Sequence, residues 1–518
     1  MKKNISRVVQ ISLLCIALLL CLRLLPLSAD AADLSRLEQA IIDSYVTGEQ
    51  VDVSQYQLHK DDFHTLFWQL RDSGKLPWYA QRTYRRSVDS QDLVQRFYPM
   101  TLDEATYDRT LYEQKMAEML HATVFEGMNQ WQIALSVHDY IVTHCAYDES
   151  LTYYDGYDLL VRGTSVCNGY AEVYMDALNR LGIPCRMVHS EAMNHVWNLV
   201  QIYGNWYHVD ATWDDPTPNS YGNVRHTYFL VTDAEIRAKG TEGHHGWETD
   251  IICTDTSYTN AFWKDVDSAI CYTDSSTSYL RRFEDWTGTM RKRDEKTGKE
   301  TVIYTDSKKY INIGYGEYSY SHHGLSLWND RIYFATMDTV FSCDLRGGNG
   351  RKEFTYDTKG NRKYIYGVFV ENGTAYLTLR DHEGSTSSLT VPLTSGNTHS
   401  HSYTVTVIAP TCLQAGYSQH TCICGVEFTS SPTQALGHNY EAKTLSVATT
   451  SQEGQEQHTC THCGDSYITT TPALTPQNPA DDIMDWLTDD ERMPIIIVLG
   501  VLGLLGKIFG KKTKRAAR

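Results

Sequence analysis

Cys167, His195 and Asp210 follow one another in the order nucleophile, base and orienting carboxylate, 28 and 15 residues apart. Together such groups activate a thiol: the carboxylate fixes the imidazole, and the imidazole takes the thiol proton. The spacing counts only if local structure brings the three together. Cys167 lies in Gly163-Thr-Ser-Val-Cys167-Asn-Gly-Tyr-Ala, which reads as a glycine turn feeding a helix. Val173, Ala177, Leu178 and Leu181 mark the inward face of that helix, Gly182 stops it, and Pro184 follows. A thiol at a helix N-terminus meets unpaired amides and the positive end of the dipole, both of which favour thiolate.

The other two residues belong to an expected hairpin. Apolar and polar residues alternate through Asn194-His195-Val-Trp197-Asn-Leu-Val-Gln-Ile202 and again through Asn205-Trp-Tyr-His-Val-Asp210, with Tyr203-Gly204 as the turn. A two-residue turn sets Ile202 opposite Asn205 and Trp197 opposite Asp210. His195 is then diagonal to Asp210, roughly 7 Å away at Cα and within side-chain reach. His208 is assigned to the face opposite Asp210 and left out of the chemistry. Asp214 and Asp215 are expected to cap the next turn.

These segments, with Tyr207-His-Val-Asp210-Ala-Thr-Trp213, resemble the three core motifs of the transglutaminase-like superfamily. Two flanking segments are also similar: His138-Asp139-Tyr140-Ile141 to the family's lead-in helix, and Tyr228 to Ile236 to a segment after the core of secreted bacterial members. The resemblance spans about residues 110 to 245. It implies an α+β, papain-like core of helices packed on an antiparallel sheet. It also implies that Cys167 attacks a peptide or glutamine amide to give a thioester, that His195 moves the proton, and that Asp210 fixes the tautomer. The Cys167 amide is then an oxyanion donor. Trp197 and Trp213 are candidates to wall the cleft, with a structural role as the alternative. No cofactor is implied. Nothing in the residues separates hydrolysis from amine transfer, and a non-catalytic surface adhesion or scaffolding protein is the alternative function.

Around the core, residues 111–250, the rest of the 518-residue chain divides by texture. Residues 32–110 read as a helical lead-in: Leu34, Leu37, Ala40 and Ile41, then Phe63, Leu66, Phe67 and Leu70, recur at helical spacing. Helices are also expected from Tyr107 to Leu120 and from Gln130 to His144. Residues 251–397 read as a β-rich domain. Within it, Gly324 to Phe334 matches Gly367 to Leu377 at an offset of 43, a blade-like repeat with too few copies to close a propeller.

Residues 398–473 hold two Cys/His repeats, with His401, Cys412, Cys422 and Cys424 in the first and His438, His458, Cys460 and Cys463 in the second. The first has C-x-C where the second has C-x-x-C, and Thr449 or a neighbour replaces Cys412. No full set of four cysteine ligands exists within either repeat. The expectation is therefore no metal, with disulfide-bonded or structural cysteines in small surface spacers, and zinc held by these soft ligands as the alternative.

The ends suggest address. Lys2, Lys3 and Arg7 precede an apolar run from Ile11 to Leu22, and Ser28-Ala-Asp-Ala31-Ala offers a cleavage site. Residues 1–31 therefore read as a secretory signal, with a retained anchor as the alternative. A polar, acidic linker (474–493) leads to an apolar segment, 494–510, and a basic tail, 511–518. That segment is short for a bilayer, yet the basic residues behind it suit a stop-transfer anchor, an interfacial helix being the alternative. The expected location is the outer face of a membrane, acting on a protein or peptide of the cell envelope. A net charge of −17 excludes a general nucleic-acid binder.

Overall fold

A computed structural model describes residues 31–474, apart from 240–242, 285–286, 307–309, 313–315, 319–323, 382, 394–401 and 424–425. The basic and apolar N-terminal run and the apolar segment 494–510 lie outside the described residues, as does His401. No helix among the described residues is long and apolar enough to cross a membrane. The described residues form two compact units, one of residues 31–408 with Tyr417–Thr433, the other of Ala409–Gly416 with residues 434–474.

The first unit opens with α1 (Ala31–Thr47), β1 (Val51–Asp52), α2 (Lys60–Asp72), β2 (Arg85–Val88) and β3 (Val94–Tyr98). The helical spacing is realised, since Leu37, Ile41, Phe63, Leu66, Phe67 and Leu70 are buried together. The segment is not purely helical, however. A three-stranded sheet in the order β1-β3-β2 adds Val94 and Phe97 to the same cluster, giving the lead-in a core of its own. It is fastened to the next layer by Arg71, whose Nη2 donates to Glu172 Oε1 at 2.6 Å, while Glu172 Oε2 accepts from the Gly156 amide at 2.8 Å.

Next come α3 (Arg109–Thr123) and α4 (Gln130–His144), then the short parallel pair β4 (Ala146–Tyr147) and β5 (Thr164–Ser165). Asn129 starts α4 with a reciprocal capping box to Gln132. The helix is buried beyond one stripe, for Ala134, Leu135, Val137, Ile141 and Val142 are all enclosed. A π-helical turn, Asp158–Arg162, ends at Gly163 in the left-handed region and feeds α5 (Cys167–Arg180).

A four-stranded antiparallel sheet, β6 (Cys185–Ser190), β7 (His195–Ile202), β8 (Asn205–Val209) and β9 (Phe229–Val231), lies in that order beside α5. The hairpin register is the one its turn dictates: Ile202 pairs with Asn205 and Asn198 with Val209. Tyr203 and Gly204 both have positive φ, 50° and 88°, the backbone of a primed turn that matches strand twist. Val196, Val200, Ile202, Tyr207 and Val209 face the main core with α4 and α5. Trp197 and Leu199 face a smaller cluster with Val188, Tyr228 and Ile236. The sheet is thus covered on both sides.

Residues 271–392 form antiparallel sheets of four (271–306), two (310–318), four (326–355) and three (363–392) strands. The repeat of 43 is visible in their hairpins, since Trp328 pairs with Arg331 and Glu371 with Thr374. Each Cys/His repeat is a three-stranded sheet, Tyr403 to Thr433 for the first, whose Ala409–Gly416 segment belongs to the second unit, and Tyr440 to Thr471 for the second.

Candidate active site

Cys167 is the first residue of α5, 9% exposed. Val166 at the N-cap offers no side-chain acceptor, so no side chain caps the opening amides of the helix, of which that of Gly169 donates to the Val166 carbonyl at 3.0 Å. The first turn is held tightly from behind. A Cβ on Gly169 would lie 2.3 Å from Ser165 Oγ and 2.7 Å from the Asp155 carbonyl oxygen, a backbone atom that cannot yield. Glycine is therefore the residue that lets α5 begin here. Gly169→Ala is expected to destabilise the fold by about 1–3 kcal/mol through overpacking, read as a lower urea midpoint.

His195 opens β7, and its Nε2 lies 2.7 Å from Asp210 Oδ2. Cys167 acts on the same imidazole, adding to the lift that Asp210 gives it. With Nε2 committed to Asp210, Nδ1 is the nitrogen left for sulfur. The His195 ring stacks with Trp197 and Trp213, centroids 5.6 and 5.4 Å away. Asn198 ties the strand to the helix by donating from Nδ2 to the Ala171 carbonyl at 3.0 Å. Of the three residues singled out by spacing, His195 and Asp210 are joined by a hydrogen bond, and Cys167 acts electrostatically on the same imidazole.

Asp210 is saturated. Its Oδ1 accepts from the amides of Thr212 and Trp213 at the start of α6 (Ala211–Asp214), at 3.0 and 3.1 Å. Oδ2 accepts from His195 and also from His244 Nε2, at 2.7 Å. Burial alone would raise this carboxyl, but the two histidines and their hydrogen bonds overcome it and lower the pKa well below 3.8. Burial likewise works against a charged His195. The Asp210 carboxylate, with Cys167, outweighs it and lifts the imidazole from 6.5 to about 10.

His244 was not visible in the sequence. It comes from the loop after α7 (Asp233–Arg237), shares no periodicity with the hairpin, and is buried with no partner on Nδ1 among the described residues. Its ring packs on Trp213, Trp197 and Tyr228. The adjacent pair His244-His245 before Gly246-Trp247 was the only available sign.

Three expectations need correcting. His208 shares a face with Asp210, as residues two apart in a strand must. It accepts from Trp197 Nε1 at 2.9 Å and meets Asp233 at 2.8 Å, supporting the site from one layer away. Trp197 is 1% exposed and lies against His195 inside the protein, so it does not wall a cleft; Trp213 is partly buried beside it. Asp214 and Asp215 do more than cap. Asp214 accepts the Tyr228 amide and faces His138, and Asp215 accepts the Tyr170 hydroxyl at 2.5 Å. His138, Asp139 and His226 extend this into a buried polar network beneath the sheet, joined to Asp214. A hollow of about 740 Å³ bounded by Tyr140, His144, Trp328 and Phe369 contains none of the three candidate residues. The chemistry is located by side-chain geometry, not by cavity size.

The raised and lowered groups set a pH window. His195 is lifted, so its contribution to stability is complete below pH 6.5 and vanishes as pH rises through about 10. Asp210 is depressed, so its contribution is complete above its ordinary 3.8 and is lost on acidification. His138, lifted to about 9 by Asp139 and Asp214 against its burial, adds to the alkaline arm. A His195→Gln chain is expected to show a shallower alkaline fall in thermal midpoint than the parent, with part of the arm remaining through His138.

The family model described as the transglutaminase-like superfamily matches residues 118–211. No curated protein matches the chain. Among solved structures it is similar to a Cytophaga hutchinsonii protein provisionally assigned as a cysteine protease, at 16% identity and TM-score 0.18, covering 26% of this chain and 64% of that one. A TGase matches at 15% identity and TM-score 0.18, over 30% of this chain and 58% of the other. TolB of Acinetobacter baumannii matches at 12% identity and TM-score 0.14, over 58% and 83%. The chain therefore spans about three fifths of the length of the first two structures.

Proposed function

From a chain whose residues 118–211 carry a transglutaminase-like core, we propose a cysteine enzyme that attacks amide bonds of proteins or peptides through a thioester. The observation that carries this reading is the His195–Asp210 hydrogen bond of 2.7 Å, which leaves the other imidazole nitrogen for Cys167 at the helix start. The Cys167 sulfur adds to the amide carbonyl, and its oxygen gains negative charge beside the opening amides of α5. Collapse breaks the C–N bond, and His195 gives its proton to the departing amine. Water or a second amine then attacks the thioester, loses its proton to His195, and frees the thiolate. Asp210 stays ionised and holds the ring throughout.

The basic and apolar N-terminus and the apolar segment before a basic tail support placing this enzyme on the outer face of a membrane, acting on proteins or peptides there. Casein incubated with and without a fluorescent primary amine tests the chemistry. Incorporation of the amine identifies crosslinking, and new N-termini without incorporation identify proteolysis. If the chain does neither under conditions where a known transglutaminase and a known cysteine protease do, the proposal fails and a scaffold role takes its place.

A further inference from the structure

The second unit contains a cluster of soft ligands that counting within repeats did not find. Cys412, His438, Cys460 and Cys463 each direct one ligand atom to a common point, all four atoms lying within 4.8 Å of one another. Cys412 Sγ is 3.8 Å from Cys460 Sγ, and Cys463 Sγ is 3.4 Å from His438 Nδ1. Tetrahedral zinc with Zn–S near 2.3 Å and Zn–N near 2.0–2.1 Å requires S···S edges of about 3.8 Å and S···N edges of about 3.5 Å. The two observed edges match both values. All four thiol and imidazole donors are of the kind that zinc selects. We propose that these four residues form a structural Cys₃His zinc site.

The backbone explains how the set assembles across two repeats. Cys460-Thr-His-Cys463 ends in Gly464, which takes φ 76° so that its amide can return to the Cys460 carbonyl at 2.9 Å. This tight turn sets the two sulfurs side by side. The amides of Leu436 and Gly437 donate to the carbonyls of Thr411 and Cys412, at 2.8 and 3.1 Å, and draw the Cys412 loop up to His438. The loops of the two repeats are equivalent, since Thr411 N donates to Gln414 O and Thr449 N to Gln452 O. By that equivalence Thr450 stands where Cys412 would recur. The cysteine missing from the second repeat is therefore supplied by the first, which is why a count within each repeat comes up short.

The chemistry at sulfur is consistent with a metal. Cys412 and Cys460 are free thiols, their separation far beyond an S–S bond of about 2.05 Å. With the metal bound, three thiolates and a neutral imidazole surround it, and the thiol protons pass to solvent. The His438 ring also stacks with Tyr440, centroids 5.2 Å apart, which fixes its orientation.

The test uses the full chain, purified under reducing conditions without chelator and equilibrated with zinc sulfate. Elemental analysis is expected to give about one tightly held zinc per chain, falling more than fivefold in Cys412→Ser and in His438→Ala, and unchanged in Cys422→Ser. Cobalt replacing zinc is expected to show thiolate-to-metal charge transfer and the intense ligand-field bands of a tetrahedral site, both lost in Cys412→Ser. Cys412→Ser should keep the casein activity of the parent, which separates this proposal from the reading of Cys167. Full zinc retention in Cys412→Ser and His438→Ala overturns the site. So does a reduced chain that binds no zinc, or a native chain whose mass and peptide map place Cys412 in a disulfide with Cys460.

Discussion

Asp210→Asn is expected to lower kcat on casein or a peptide substrate by about 10³–10⁴-fold, the scale seen when an orienting carboxylate is neutralised in a triad. The reason is local. Oδ2 accepts two imidazole N–H groups, from His195 and His244, while Oδ1 accepts two backbone amides that start α6. An asparagine has one acceptor oxygen. If it satisfies the amides, its own N–H₂ faces two ring nitrogens, and His195 must change tautomer or turn away from Cys167. A buried donor left unpaired costs roughly 1–3 kcal/mol, so the urea midpoint should fall as well. The stability loss should shrink in acid, where the parent carboxylate itself begins to lose its advantage. A chain whose activity and pH profile are untouched by Asp210→Asn would remove the carboxylate from the mechanism.

Cys167→Ala should abolish turnover, with a loss of at least roughly 10⁴-fold in kcat/KM, while leaving the fold in place. The thiol is 9% exposed and closes one end of the main cluster, so truncation to alanine deletes one sulfur beside solvent and opens no deep cavity. Circular dichroism and thermal midpoint should therefore stay close to the parent. This separation is diagnostic, because a cysteine present only for packing would show the reverse pattern. The same substitution at Cys185, 1% exposed and with its thiol pushed up by burial, should cost stability and leave catalysis to the remaining folded molecules.

How much of this was legible beforehand depended on whether a short-range rule carried the information. The start of α5, the limits of α4 and the register of the β7–β8 hairpin follow from a glycine turn, a cap and a two-residue turn. These rules set His195 against Asp210 and put Cys167 at the helix start. Strand alternation puts His208 on the face of Asp210, not opposite it. Trp197 takes the structural of its two roles because β7 is covered on both faces, so facing the same side as His195 does not imply facing solvent. The small N-terminal sheet was hidden by a two-residue strand and by Arg85-Arg86-Ser-Val, which has no apolar alternation. His244 and the Cys412 ligand are long-range features: each reaches its partners through loops whose paths no periodicity records.

The central claim is that His195 activates Cys167. Folded parent and His195→Ala chains are treated with iodoacetamide at pH 7, and alkylation of Cys167 and Cys185 is followed by peptide mass spectrometry. The expected result is Cys167 reacting at least about tenfold faster in the parent than in His195→Ala, with Cys185 slow in both, since a paired imidazole supplies the reactive thiolate. Equal Cys167 rates in the two chains, or a parent Cys167 as inert as Cys185, would contradict it.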